Sequence, residues 1–231
     1  MIPFLTNDTP FPSVELALRT PNGLLAAGGN LTLPRLLEAY RSGIFPWFNP
    51  GEPILWWSPN PRMVLIPGEF NTSRSLAKIL RNSIYEVRCD TVFEQVMRCC
   101  AAPRKGHLGT WIDEEMITAY CALHSLGYAH SVETWKDGNL AGGLYGVSIG
   151  RMFYGESMFS DVSNASKIAL AHLARQLDRW EFGMIDCQMN TRHLATLGAR
   201  EISRTEFITR LQELIHCAPI TDWQFDSDLF P

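Results

Sequence analysis

The stretch "AHSVETWKDGNLAGGLYGVSIGRMFYGESMFS", residues 129–160, decides the fold. It breaks at Asp137-Gly138. An Asp-Gly pair supplies the two positive-φ residues of a tight turn, so the runs on either side form a hairpin. Residues 151–160 give a third strand. Downstream, "SNASKIALAHLARQLDRW" (163–180) reads as a long helix starting after Ser163. "GMIDCQMN" (183–190) reads as a further strand and "RTEFITRLQELIHCA" (204–218) as a closing helix. The order β-β-β-α-β-α, antiparallel first and then a crossover, predicts a mixed sheet with helices on its faces.

Upstream of the hairpin, "SRSLAKILRN" (73–82) is a short helix capped by Ser73, and "IYEVRCD" (84–90) alternates like a strand. "TVFEQVMRCCA" (91–101) is helical. "DEEMITAYCALHSLG" (113–127) is a helix with its acids first and Gly127 at its C-terminal end. The first sixty residues differ, with prolines from Pro3 to Pro61 and one secure helix, about Pro34 to Ser42. Thr32 stands at its N-cap and Pro34 in its first turn. "GIFPWFNPGEPILWWSPNPR" (43–62) reads as rigid, aromatic and irregular. The expected fold class is α+β: a small proline- and aromatic-rich N-terminal domain over 1–61 and a mixed-sheet domain over 62–231.

Of the 231 residues 46% are apolar, enough for a packed core. The formal charge of -4 excludes a protein coated in basic charge but not a local basic patch. The six cysteines form no C-x-x-C pair and no Cys/His cluster has zinc spacing, so no metal is expected. Free thiols in a reducing cytoplasm are the simplest reading. "MIPFLTNDTPFP" lacks the basic region of a signal peptide, and no apolar run approaches the ~20 residues of a membrane span. A cytoplasmic monomer is the expectation.

Within "GMIDCQMN", Asp186 and Gln188 stand two apart, so simple alternation aims a carboxylate and an amide to one side, beside Met184. The same rule puts Glu156 on one strand face with Tyr154 and Met158. The strand order resembles N-acyltransferases of the GNAT type. Those using coenzyme A place a glycine-rich pyrophosphate loop before the crossover helix. Here the junction "SMFSDVSNASKIAL" has no glycine. Coenzyme A is therefore an unfavoured donor, and no cofactor is expected.

"PNGLLAAGGNL", "RSGIFPWF", "ILWWSPNPR", "GTWI", "GYAHSVETW", "AGGLYGVSIGRMFYGESMFS", "NASKIAL", "IDCQ" and "HLATLGA" follow one another across nearly the whole chain. Together they resemble the bacterial leucyl/phenylalanyl-tRNA–protein transferase family. The resemblance implies a GNAT-like C-terminal domain. It also implies transfer of Leu or Phe from aminoacyl-tRNA to the α-amine of proteins beginning with Arg or Lys, which marks them for degradation. It assigns Asp186, Gln188 and Glu156 to catalysis. Leu144, Met158, Leu170 and Ile185 would form the aminoacyl side-chain pocket. Trp47 and Trp111 would hold the terminal adenosine, and Arg74, Lys78 and Arg81 the tRNA body.

The chemistry is consistent with those roles. The ester is already activated and the acceptor amine has a pKa near ~8, so much of the task is orientation. The Gln188 carbonyl would accept a hydrogen bond from the amine, and Asp186 would orient the Gln188 amide. Trp56 and Trp57 are read as core, and His193, Cys99 and Cys100 as structural. Two other classes remain open on the residues alone: a coenzyme-A-dependent small-molecule N-acetyltransferase and a non-catalytic RNA-binding module.

Overall fold

The structure, a computed structural model, describes residues 2–81, 84–103 and 111–230. Asn82, at the end of the helix expected over 73–82, lies outside them, as do Gly109 and Thr110 of "GTWI". Strands β1 (Phe4–Leu5) and β2 (Leu24–Gly28) precede helix α1 (Leu33–Arg41). Strands β3 (Phe45–Pro46) and β4 (Leu55–Trp57) follow it and complete a small sheet, ordered β1-β2-β4-β3. The segment over 43–62 is thus not wholly irregular. Its strands are too short and too interrupted by proline to show alternation, and Pro46 is tolerated because β3 is an edge strand. Trp56 is fully buried, its indole N–H on the Gly28 carbonyl at 2.8 Å, and Trp57 donates to the Trp47 carbonyl at 2.7 Å. Thr32 sits at the N-cap of α1 but does not cap it; its hydroxyl donates to Asn30 instead.

The larger sheet starts at β5 (Arg62–Leu65). Helix α2 (Arg74–Leu80) is capped by the Ser73 hydroxyl, and β6 (Tyr85–Cys89), α3 (Phe93–Ala101) and α4 (Glu114–Ser125) follow. Asp113 caps α4, whose first turn carries Glu114 and Glu115, and Gly127 ends it at φ +75°. The hairpin strands are β7 (Ala129–Lys136) and β8 (Asn139–Ile149). Asp137 and Gly138 lie at φ +50° and +75°, as a type I′ turn requires. Then come β9 (Met152–Ser160), α5 (Ala165–Arg179) and β10 (Met184–Gln188). The short α6 (Arg192–Thr196) and β11 (Arg200–Ile202), neither expected, precede α7 (Arg204–Leu214).

The sheet order is β11-β5-β10-β9-β8-β7-β6. β10 runs parallel to β9 across the α5 crossover, and the other pairs are antiparallel. This is a mixed sheet with helices on both faces. One face packs α3 and α4 through Phe93, Met97, Met116 and Tyr120, in a core shared with Tyr40 of α1. The other packs α5 through Leu170, Leu173 and Leu177. Alanines and Gly142 bring α5 close: a Cβ on Gly142 would stand 2.6 Å from that of Ala165. Among the described residues no helix is long and apolar enough to cross a membrane.

Candidate active site

Two strand irregularities build the site. On β9, Ser157 pairs with Tyr145 and Gly155 with Gly146, so Glu156 is an extra residue at a bulge. Before the bulge Phe153 packs toward α5 and Tyr154 toward α3 and α4. Beyond it Met158 faces the α5 side and Phe159 the other. The expectation that Tyr154, Glu156 and Met158 share a face therefore fails, because the bulge inverts the alternation. On the neighbouring β10, Asp186 pairs with Val64 and Gln188 with Met63, leaving Cys187 as the extra residue; Gln188 adopts φ +62°.

This second bulge separates the two residues expected to point together. Asp186 is fully buried and forms a two-pronged ion pair with Arg62: Nε donates to Oδ1 at 2.8 Å and Nη2 to Oδ2 at 2.6 Å. The Arg62 guanidinium lies between the Phe45 and Phe207 rings and donates to the Gly43 carbonyl. Asp186 also accepts the backbone N–H of Gln188 at 2.8 Å. It thus orients the Gln188 backbone rather than its amide, the correction the bulge imposes.

The Gln188 side chain reaches Glu156 instead, Nε2 donating to Oε1 at 3.2 Å. Glu156 also accepts from the Tyr40 hydroxyl on Oε1 at 2.8 Å and from the Tyr120 hydroxyl on Oε2 at 3.2 Å, and the two hydroxyls touch each other. Burial pushes the Glu156 carboxyl up to about 7, and the negative Asp186 adds to the rise. The tyrosine hydroxyls and Arg62 oppose it. A carboxyl at about 7 can hold or release a proton near neutral pH.

Glu156 and Gln188 line a cavity of about 410 Å³; Asp186 does not. Leu144, Met158, Leu170 and Ile185 form an apolar wall, joined by Phe153 and Leu173. Trp47 and Trp111 stand at the same cavity, Trp47 being 39% exposed with its ring 5.5 Å from that of Trp57. Trp56 and Trp57 are core. His193, read as structural, instead lines the cavity, where partial burial and Lys167 lower its pKa. Arg74, Lys78 and Arg81 are exposed and line none of it; Arg81 stands just past the end of α2. Sequence reading missed Arg62, Tyr40 and Tyr120. At the start of α5, the Ala165 N–H is taken by the Val162 carbonyl and that of Ser166 by the Ser160 hydroxyl. Two donors that a pyrophosphate would use are therefore engaged.

A family model described as leucyl/phenylalanyl-tRNA protein transferase matches residues 64–212, and one for that transferase's N-terminal domain matches residues 29–60. The chain is 63% identical over 229 residues to the leucyl/phenylalanyl-tRNA–protein transferase of Nitrosospira multiformis, covering 99% of both chains. It is 64% identical over 214 residues to that of Nitrosomonas europaea, covering 93% of this chain and 91% of the relative. Among solved structures, a metagenomic aminoglycoside acetyltransferase is 11% identical at a TM-score of 0.38, over 63% of this chain and 97% of the other. A GCN5-related N-acetyltransferase from Kribbella flavida is 10% identical at 0.34, over 72% and 60%. Near-complete coverage by close relatives, over a fold with this cavity, settles the assignment: the chain belongs to the leucyl/phenylalanyl-tRNA–protein transferase family.

Proposed function

We propose that this transferase moves Leu or Phe, and Met more slowly, from tRNA to the α-amine of cytoplasmic proteins beginning with Arg or Lys, and that the product is a degradation signal. The observation that carries the reading is the Glu156–Gln188 pair at an apolar cavity flanked by Trp47 and Trp111. The terminal adenosine stacks on the two tryptophans, each stacked base contributing roughly 1–3 kcal/mol. The Leu or Phe side chain enters the wall of Leu144, Met158, Leu170 and Ile185. Met158 suits both branched and aromatic groups because its side chain is flexible.

The neutral α-amine attacks the ester carbonyl. The Gln188 carbonyl oxygen accepts one of its N–H groups, and Glu156 takes the proton released as the N–C bond forms. That proton then goes to the departing ribose oxygen, so the tRNA leaves with its hydroxyl restored. Asp186 is a positioning residue: with Arg62 it fixes the kink that aims Gln188. Arg74, Lys78 and Arg81 contact phosphates of the tRNA body. Residues 1–61 act as a small domain that supplies Tyr40 and Trp47 to a site otherwise built by residues 62–231.

The test is transfer to Arg-, Lys- and Ala-initiated peptides from one tRNA body carrying in turn Leu, Phe, Met, Val and Ser. Leu and Phe should transfer fastest, Met more slowly, Val poorly and Ser not measurably, and only to the basic acceptors. Rates that ignored the amino acid would remove the pocket as the selector.

A further inference from the structure

The C-terminal segment, residues 220–230, crosses the outer side of α5 without forming a helix or strand. Its first anchor is Trp223, buried, with its ring 3.6 Å from and nearly parallel to that of His130. His130 is itself held by Asp90 Oδ2 at 2.7 Å and the Gly127 carbonyl at 3.2 Å. The second anchor is Asp226, which accepts from Arg179 at 2.9 Å and exchanges two hydrogen bonds with the fully buried Gln176. Arg179 also holds Asp228 at 2.5 Å. The last is the pair Leu229 and Phe230. Arg175 donates to the Leu229 carbonyl at 3.3 Å, and Phe230 packs edge-on against His172. Leu229 is 2% exposed although it lies two residues from the end of the chain.

These last residues share a cavity with α2. A separate cavity of about 190 Å³ is lined by Ile79, Leu80 and Arg81 from the end of α2 and by Asp226, Leu229 and Phe230 from the segment. α2 also rests against α5, and Leu76 is its one buried residue. The apolar side chains at its C-terminal end rest where the segment arrives. α5 stands between the two regions, its Leu170 and Leu173 lining the transfer cavity while His172, Arg175, Gln176 and Arg179 hold the segment.

We propose that residues 220–230 form a strap that positions α2 for the tRNA body and takes no part in the transfer chemistry. Leu229 and Phe230 are its positioning residues, and the proposal rests on the reading of α2 as a phosphate-binding helix. Fixing the helix before tRNA arrives spares the ordering that binding would otherwise impose. With the strap loosened, Arg81 at the helix end loses its fixed place and a phosphate contact is weakened.

The experiment compares wild type with Leu229→Ala/Phe230→Ala and with Asp226→Ala, a surface change that keeps the test available if the double variant folds poorly. Arg74→Glu/Lys78→Glu is measured in parallel. Binding of phenylalanyl-tRNA is measured across salt concentrations. Transfer to an Arg-initiated peptide is measured from phenylalanyl-tRNA and from phenylalanyl-adenosine, which carries the ester and nucleoside but no tRNA body. The strap variants should weaken tRNA binding about tenfold and reduce the salt slope by about one, with phenylalanyl-adenosine transfer unchanged. Equal loss with both donors would make the segment a general support and overturn the proposal. Unchanged tRNA binding in both strap variants, with the charge-reversed helix weakened, would overturn the strap alone. An unaffected charge-reversed helix would remove the α2 reading and the strap with it.

Discussion

Replacing Glu156 by Gln removes a titrating group from the cavity wall while keeping its size. On the proposed mechanism the ionised carboxylate accepts the amine's proton, so wild-type kcat should rise as pH passes through about 7. Glu156→Gln should lower kcat strongly and lose that limb of the profile; a profile identical to wild type would remove Glu156 as the acceptor. Stability moves the other way. The folded state holds the Glu156 proton up to about 7 and the unfolded chain only to the ordinary 4.5, so stability falls as pH rises through that window. The difference corresponds to roughly 3 kcal/mol, and Glu156→Gln should show a flatter fall of melting temperature between acid and neutral pH. Arg62 offers a second test. Arg62→Met leaves Asp186 charged and unpaired in the core, which should cost about 3–5 kcal/mol in urea unfolding. Adding Asp186→Leu should restore much of that stability but not the transfer rate, because the Gln188 N–H now loses its acceptor.

At the scale of elements, the apolar wall is shared by β8, β9, α5 and β10, and the tests belong to the wall. Leu144 faces Met158 across the β8–β9 ladder and both line the cavity, so Leu144→Phe narrows it there. Phenylalanine transfer should fall more than leucine transfer, read as the ratio of kcat/KM from one tRNA body; an unchanged ratio would place the selector elsewhere. The hairpin was legible because Asp137-Gly138 is local chemistry, and α4 because its acids and Gly127 mark both ends. The bulges were not. Alternation assumes an unbroken register, and nothing in "FYGESMF" or "IDCQ" says that Glu156 and Cys187 are surplus to their ladders. Asp186 and Gln188 stood out for their residue types, while their mutual geometry is set by a kink. Tyr40 and Tyr120 lie 116 and 36 residues from Glu156, on helices whose apolar faces explain them equally well as core.

For the whole molecule, the two sheets meet at the site. Tyr40 donates to Glu156, the Tyr154 hydroxyl donates to the Tyr40 carbonyl, and Arg62 donates to the Gly43 carbonyl. A chain beginning at Arg62 should therefore lose transfer completely and bind hydrophobic dyes more strongly, since Phe93, Tyr120 and Tyr145 lose part of their shared core. Activity in that fragment would separate the N-terminal residues from the chemistry. The Arg62–Asp186 pair also sets a schedule for synthesis. The partners are 124 residues apart, and a ribosome adding ~5–20 residues per second separates their appearance by roughly 6–25 s. Until Asp186 emerges, Arg62 lacks its native counter-charge, and burying β5 without it carries the cost of an uncompensated charge. A strand made in the first third of the chain thus takes its final place in the sheet only after β10, made much later, has left the ribosome.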